Sequence, residues 1–263
     1  MRTDETIPGY LFNTHSAAHN IINMTRIPAE LDLAGAGLDY IEMSPFATGF
    51  VRDGRVVRFS RSVDETCASI TEAGGRAESD AYRAFMHRSI PLVKTAVSGL
   101  ESGSTPGGIG KAAVSKIGSL LQGVKRSGGP MGLMHDLVMP YGALLETALV
   151  SDLTRAPVSA FASHSSAGPH SPGGSFYVFW QAAYHLFGQW HPRGGSQALT
   201  SALVRRLEGW GGESAPVRRW PASTPATATL AGSSSRTAPA SPRRLSSRPS
   251  TSRPRCCGSS TCR

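Results

Sequence analysis

The sequence contains few cysteines, and most of them lie close to the C-terminal end. Of the four, Cys67 stands alone, whereas Cys256, Cys257 and Cys262 are grouped. Two adjacent cysteines followed by a third five residues later do not match a usual zinc-binding spacing. Cys67 lies on an apolar helical face, where a thiol is typically buried and inert. This cysteine usage is compatible with a reducing cytosol.

Recognisable nucleotide, hydrolytic and metal motifs are also missing. No G-x-G-x-x-G sequence follows a predicted strand, so we find no dinucleotide-binding fingerprint. Residues 108–111 look like part of a phosphate loop, but no strand precedes them and Ala112 stands where Ser or Thr should bind magnesium. We recognise neither paired carboxylates nor a Ser/His/Asp arrangement. Four histidines in the second half of the chain do not have the spacing of zinc ligands, and no Asp or Glu lies beside them. They are His164, His170, His185 and His191.

Long hydrophobic runs are absent from the sequence. No stretch reaches about 18 apolar residues without polar interruption, as a membrane-spanning helix requires. Residues 1–20 lack the continuous apolar core of a signal peptide. We therefore expect a cytoplasmic protein, with peripheral contact with a membrane as the alternative.

Acidic residues are missing from the last 50 positions. Residues 214–263 carry nine Arg, no Lys and no Asp or Glu, whereas the whole chain has 27 Lys and Arg and 18 Asp and Glu. The rest of the chain is therefore balanced, and the net charge of +9 belongs to this tail. The tail also lacks Ile and Phe, so it cannot bury enough apolar surface to offset its ordering entropy. We predict that residues 214–263 are disordered.

The basic tail has two interpretations. Such a tail can bind nucleic acid or acidic membranes, but aromatic residues for base stacking are missing apart from Trp220, so we expect no specific nucleic-acid partner. Alternatively, Arg, Pro, Ser, Ala and Thr are what a GC-rich gene encodes when read out of frame. We hypothesise that the tail is a frameshift product. An uninterrupted in-frame homologous tail in another gene would contradict this hypothesis.

Short strands and helices are predicted over residues 1–74. Asp53-Gly54 between two alternating apolar runs predicts a hairpin of strands 46–52 and 55–59. Ser62 and Glu65 form a capping box that starts a helix ending near residue 73. Pro8-Gly9 indicates a turn. The remaining expectations are a frayed end at 1–6, a strand at 10–12, a loop at 13–17, short helices at 19–24 and from residue 27, and a strand at 38–43.

Residues 75–190 are predicted to be mostly helical. One apolar stripe contains Tyr82, Phe85, Met86, Ile90 and Val93. The segment 175–190 is apolar on most faces, which predicts a buried helix or the lining of an apolar tunnel. The other expectations are a glycine-rich break at 99–110, a helix at 110–124 with Ala113, Val114, Ile117, Leu120 and Leu121 inward, a helix at 133–149 kinked at Pro140, a helix at 151–162, and a loop at 163–174.

A turn rich in glycine precedes the last predicted helix. His191-Pro192 is followed by Arg193-Gly194-Gly195, which lets the backbone turn tightly and approach a ligand. Ser196 is a suitable N-cap, and Gly211-Gly212 ends the helix. A glycine pair before a helix can present backbone N–H groups to an anion or to a polar cofactor edge. The apolar face of this helix is predicted to contain Leu199, Ala202, Leu203, Leu207 and Trp210.

Three segments, taken in order, carry a resemblance to a known family. The run 191–213, the run 7–16 and Asp53-Gly54-Arg55-Val56 with its flanking strands resemble phytoene dehydrogenase-like FAD-dependent oxidoreductases. This group includes proteins named pyridine nucleotide-disulfide oxidoreductase domain-containing protein 2. The resemblance covers roughly residues 7–213. It implies that the chain is an interior fragment, because the ADP-binding fingerprint and its ribose-binding acid are not in the sequence.

The resemblance implies a flavin enzyme of the dehydrogenase or desaturase type that acts on an apolar small molecule. In such enzymes the flavin carries out the chemistry, and the protein positions it and excludes water. The residues expected close to FAD are those of the glycine turn and of the first loop. They are Arg193, Gly194 and Gly195, followed by Asn13, Thr14, His15 and Ser16.

The overall expectation is an α+β fold, a mainly helical substrate domain with a small antiparallel sheet, forming part of a two-domain FAD/NAD(P)-binding fold. We expect that the fragment alone is inactive and binds FAD weakly or not at all. The alternative is a non-enzymatic helical module that binds lipids or membranes. We expect four segments along the chain. Residues 1–74 form the sheet-plus-helix part of the substrate domain, and residues 75–190 form its helical region. Residues 191–213 form the glycine turn and the helix that return to the FAD domain, and residues 214–263 form the disordered basic tail.

Overall fold

The computed structural model describes residues 3–101, 106–163 and 168–214, all of which belong to one unit, Met1–Ala215. The predictions for the tail from residue 215 lie outside the described residues. The fold is α+β, as expected, and its strands pair antiparallel in twos. Within the described ranges they are β1 (Thr3–Ile7), β2 (Tyr10–Asn13), β3 (Tyr40–Glu42), β4 (Ala47–Phe50), β5 (Val56–Phe59) and β6 (Trp190–Pro192).

Helices account for most of the described chain. In chain order they are α1 (Ile27–Glu30), α2 (Val63–Gly74), α3 (Arg76–Glu101), α4 (Pro106–Ser115), α5 (Ile117–Arg126), α6 (Pro130–Val138), α7 (Tyr141–Ala148), α8 (Asp152–Ser163), α9 (Phe176–Phe179), α10 (Gln181–Phe187) and α11 (Gln197–Gly209), with a 3-10 turn at Ile22–Met24. The region 76–188 is therefore mainly helical, as predicted.

β1 and β2 form a hairpin around the predicted turn at Pro8 and Gly9. Gly9 has φ +84°, a conformation that glycine adopts without strain. The expected frayed end is wrong for residues 3–6, because this segment pairs with β2 and Thr3 bonds Asn13. The hairpin exposes the apolar side chains of Ile7, Tyr10, Leu11 and Phe12.

The second hairpin confirms the prediction made from Asp53-Gly54. β4 and β5 pair with Ala47 opposite Phe59 and Phe50 opposite Val56. α2 follows, and the Ser62 hydroxyl accepts a hydrogen bond from the Glu65 N–H at 3.3 Å. This is the N-cap interaction that the sequence predicted.

The main core lies between the β4–β5 hairpin and the helices α2, α3 and α7 to α10. The stripe predicted on α3 is buried, with Ile90 partly exposed. Instead of a kink at Pro140, the chain leaves the helical conformation between Val138 and Tyr141, which separates α6 from α7. The largest buried side chains of the core include Tyr82, Tyr141, Phe59, Phe179, Ile70 and Met86.

Two predictions between residues 99 and 124 are wrong. α3 continues through Gly99, and α4 contains Gly107 and Gly110, so only residues 102–105, which lie outside the described ranges, are left for the predicted break. The predicted helix 110–124 is interrupted at Lys116, between α4 and α5.

The inward face predicted for this region is wrong for Val114, Ile117 and Leu121. α5 approaches α3 at Gly123, where an added Cβ would lie 2.5 Å from Leu92 Cδ2. α5 therefore faces α3 through a small residue. Ile117 and Leu121 of α5 are exposed, as is Val114 of α4, and Leu120 is partly buried.

The predicted helix 175–190 is two short helices and a strand. α9 and α10 meet at Trp180, and Gly188 with φ +73° ends α10. Val178, Phe179, Ala182 and Ala183 are buried, which confirms the buried location of the segment. β6 was not predicted, because three residues are too short for a strand pattern; it pairs with β3.

α11 packs on a second, smaller core. Leu199 and Ala202 are buried against Leu33 and Leu38. The predicted apolar face is only partly buried, because this small cluster covers only the first turns of the helix. Leu203, Leu207 and Trp210 are exposed. None of the helices in the described ranges has both the length and the apolar character needed to cross a membrane.

Candidate functional site

The two segments expected close to a cofactor lie in direct contact, although more than 170 positions separate them in sequence. The Asn13 side-chain oxygen accepts hydrogen bonds from Ser196 N at 2.9 Å and from the Thr3 hydroxyl at 2.9 Å. The Ser196 hydroxyl lies 3.2 Å from the His15 carbonyl oxygen. We call residues 13–20 and 188–197, which meet here, the seam.

Further hydrogen bonds extend the seam along both segments. His19 N donates to the Trp190 carbonyl at 2.8 Å, and Asn20 Nδ2 donates to the Gly188 carbonyl at 2.8 Å. His191 Nδ1 lies 2.6 Å from the Ala17 carbonyl oxygen. The seam is thus closed by several independent contacts between the beginning and the end of the described chain.

Ser196 does not cap α11 as predicted. Its backbone is helical and its hydroxyl makes no capping bond. The side chains of the first hairpin replace it, because the Ser196 N–H bonds Asn13 and the Gln197 N–H bonds the Thr3 hydroxyl at 3.1 Å. The first donors of the helix are therefore already satisfied within the chain.

The two glycines of the turn have different surroundings. Gly194 is exposed with φ +80°, and an added Cβ would meet nothing within 4 Å. Gly195 is buried with φ +92°, and an added Cβ would lie 2.5 Å from Thr3 Oγ1 and 2.8 Å from Asn13 Oδ1. Only Gly195 is required for the close approach of the turn to the first hairpin.

The remaining predicted site residues lie on the surface of the seam. Arg193 Nε forms an ion pair with Asp39 Oδ2 at 2.7 Å, and both side chains are mostly exposed. The Thr14 hydroxyl donates to Asp4 Oδ2 at 3.1 Å. His15 is exposed, and Ser16 has a left-handed backbone with φ +59°.

A cavity of about 340 Å³ adjoins the seam. Ser16 contributes to its wall, whereas Arg193, Gly194 and Gly195 do not line it. The cavity combines apolar walls with polar groups. Its lining consists of Ser16, Ala18, His19, Asn20, Ile21, Ile22, Tyr184 and Leu199.

Two polar atoms of the lining residues are buried without a hydrogen-bond partner: His19 Nε2 and Asn20 Oδ1. The Asn20 amide is oriented by its donation to Gly188, which leaves the oxygen as a free acceptor. Such buried, unpaired atoms are costly unless something satisfies them. Because the two atoms are themselves buried, a ligand in this cavity reaches them only after a local shift of the His19 and Asn20 side chains.

His19 is held by a contact with Tyr40. His19 Nδ1 lies 2.8 Å from the Tyr40 hydroxyl, and either group can be the donor, depending on the tautomer of the imidazole. Burial raises the pKa of Tyr40, and the Asn23 side chain opposes this shift. Burial, with His191 adding to it and the Ser16 backbone opposing it, lowers the pKa of His19.

A larger cavity of about 870 Å³ lies between the β4–β5 hairpin and α8. Phe161 belongs to its wall, and Tyr184 belongs to the wall of the smaller cavity. The two rings are 4.9 Å apart between centroids, and Phe46 stacks on Tyr184 at 5.3 Å. One aromatic layer therefore separates the two cavities.

A buried polar group on α10 was not recognised from the sequence. His185 Nε2 lies 2.7 Å from the Tyr82 hydroxyl, and His185 Nδ1 lies 3.1 Å from the Arg61 carbonyl. Burial lowers the pKa of His185 to about 4 and raises that of Tyr82 well above its usual range. The His185 ring is neutral, and both of its nitrogens have hydrogen-bond partners inside the core. This group therefore stabilises the fold. The sequence signal for this buried polar group was a pair of polar residues, Gln181 and His185, four positions apart on an otherwise apolar helix.

The seam fits one part of FAD and not another. The N–H groups at the start of α11 are bonded to Asn13 and Thr3, so they do not fit the diphosphate. The smaller cavity is lined by apolar side chains and by two residues with unpaired polar atoms, His19 and Asn20, a combination compatible with the polar edge of a flavin ring. Within the described ranges, the His, Cys, Asp and Glu side chains form no cluster of three that could hold a metal ion.

No family model matches the chain, and no curated protein matches it.

Proposed function

We propose that this chain is part of an FAD-dependent oxidoreductase of the dehydrogenase or desaturase type that acts on an apolar substrate. The observation that carries the proposal is the seam, where the segments 13–16 and 193–196 meet beside a cavity with unpaired polar atoms. Both segments belong to the family resemblance of the sequence, and both were expected close to the cofactor.

In this proposal the residues of the smaller cavity hold the polar edge of the flavin ring. His19 and Asn20 would hold this edge, with the Asn20 oxygen as a hydrogen-bond acceptor. Ile21, Ile22 and Leu199 provide apolar surface that excludes water. The bound ring would relieve the cost of burying the two unpaired atoms.

The larger cavity provides the apolar site for the substrate in this proposal. The Phe161–Tyr184 contact lies between this cavity and the flavin cavity. Hydride transfer needs the flavin and the substrate in direct contact, so these two rings would have to move aside when the substrate binds. A bound flavin supplies the hydride chemistry, and the protein contributes orientation and exclusion of water. This division of roles is consistent with a seam that contains no Asp or Glu side chain.

The absence of free donors at the start of α11 gives a direct test with two ligands. We expect the purified chain to bind riboflavin and FAD weakly. The two Kd values should lie within about threefold of each other, because the diphosphate of FAD makes no contact that would add affinity. The measurement is quenching of flavin fluorescence at equilibrium. Adenosine diphosphate, which lacks the ring, is the control and should not compete.

Two results of this titration would contradict the proposal. If FAD binds a hundredfold more tightly than riboflavin, or the chain is purified with stoichiometric yellow flavin, the described residues contain a diphosphate site that we have excluded. If neither ligand binds up to the solubility limit of riboflavin, the cavity does not recognise the ring and the flavin assignment fails.

A second candidate is a helical module that binds lipids without catalysis. The observation that favours it is the large apolar cavity beside α8, together with the exposed apolar side chains of the β1–β2 hairpin. Lipid binding that proceeds while neither flavin binds would favour this module over the oxidoreductase.

A further inference from the structure

The larger cavity is bounded by small residues on both walls. On α8, Ala156, Pro157 and Ala160 face the cavity at helical spacing, and Ala47 and Gly49 of β4 lie opposite. An added Cβ on Gly49 would lie 3.0 Å from Pro157 Cγ, so the two walls are close at this point. Elsewhere the alanines leave a cleft whose volume, about 870 Å³, is within the range of small-molecule sites.

The mouth of the cleft carries one uncompensated positive charge. The Arg55 guanidinium forms an ion pair with Asp53 at 2.8 Å and donates a hydrogen bond to the Ala73 carbonyl at 3.0 Å. Asp152 lies 4.0 Å from Arg155. Arg52 also lines the cleft and is exposed, and in the described part of the chain it has no ion pair or hydrogen bond. The mouth therefore favours an anionic group, while the walls favour a hydrocarbon.

We propose that this cleft binds a single-chain amphiphile with an anionic head, such as a fatty carboxylate. The hydrocarbon lies between α8 and the β4–β5 hairpin, and the carboxylate pairs with Arg52. That this ligand is the substrate, or resembles it, rests on the proposed function. The binding itself requires no flavin.

The first test compares the full chain with two arginine variants in calorimetric titrations with dodecanoate below its micelle concentration. We expect Arg52→Gln to weaken binding about fivefold at low salt, and the difference to shrink at 1 M salt because exposed pairs are screened. Arg58→Gln is the matched control, since Arg58 is exposed on the same hairpin and does not line the cleft. Dodecanol should bind both variants and the wild type equally.

The second test examines the hydrocarbon site. From octanoate to dodecanoate the affinity should rise by up to about fourfold per added methylene, the factor that corresponds to about 0.8 kcal/mol for each buried CH₂. Ala156→Phe should fill the cleft and weaken dodecanoate at least tenfold. Thermal unfolding and riboflavin binding of this variant verify that the rest of the fold is retained.

The outcomes separate free amphiphile from membrane lipid and from the flavin assignment. Binding to phosphatidylglycerol vesicles without binding to monomeric dodecanoate would overturn the cleft proposal, as would equal effects of Arg52→Gln and Arg58→Gln or unchanged binding in Ala156→Phe. Dodecanoate binding without riboflavin binding supports the cleft and contradicts the oxidoreductase. Riboflavin binding without dodecanoate binding supports the oxidoreductase and contradicts the cleft proposal.

Discussion

Replacement of Gly195 by Ala is expected to destabilise the protein by about 3 kcal/mol. Part of this cost, about 1–2 kcal/mol, comes from the left-handed backbone at φ +92°. The remainder arises because the new Cβ would lie 2.5 Å from Thr3 Oγ1 and 2.8 Å from Asn13 Oδ1, inside the contacts that close the seam. Urea unfolding followed by circular dichroism measures the difference.

Gly194→Ala is the matched control for this prediction. Gly194 has a similar φ of +80°, but an added Cβ has open space around it. Only the backbone cost, about 1–2 kcal/mol, should remain. Equal losses in the two variants would mean that Thr3 and Asn13 do not approach the turn as described, and the seam would have to be abandoned.

The second large effect is a loss of stability in acid that depends on His185. Burial lowers its pKa to about 4 in the folded protein, against about 6.5 in the unfolded chain. The unfolded chain therefore binds the extra proton first, so the stabilisation is complete above pH 6.5 and is lost as the pH falls toward 4. The expected contribution is about 3 kcal/mol. It is measured as the free energy of unfolding at a series of pH values.

His185→Gln should remove this part of the pH dependence, because the amide retains a donor and an acceptor but does not titrate. His19, whose pKa burial also lowers, contributes in the same direction in both proteins and cancels in the comparison. A wild-type slope that persists in His185→Gln would show that the ring is not buried neutral against Tyr82.

Local signals in the sequence predicted those parts of the fold that depend on neighbouring residues. The Asp53-Gly54 hairpin, the Ser62 cap and the stripe on α3 each follow from a short pattern, and the structure contains them. β6 and the inward face of α5 depend on partners far away in sequence, namely β3 and Leu92. A pattern within one segment carries no information about such partners.

The candidate site shows the same division. The glycines at 194 and 195 and the loop 13–16 could be selected from the sequence, but not the capping of α11 by Asn13 and Thr3, which occupies the donors expected to face a ligand. His19 was not selected from the sequence. Its unpaired Nε2 becomes evident only when Tyr40 is placed against Nδ1.

The central claim is that a flavin ring lies in the cavity beside the seam. Hydrogen exchange of the full chain with and without saturating riboflavin, read by mass spectrometry, tests its location. We predict slower exchange in peptides covering 15–22 and 184–199, with no change in peptides covering 47–55 and 151–161. Unchanged exchange at the seam in a chain that does bind riboflavin, or protection confined to the cleft beside α8, would contradict the claim.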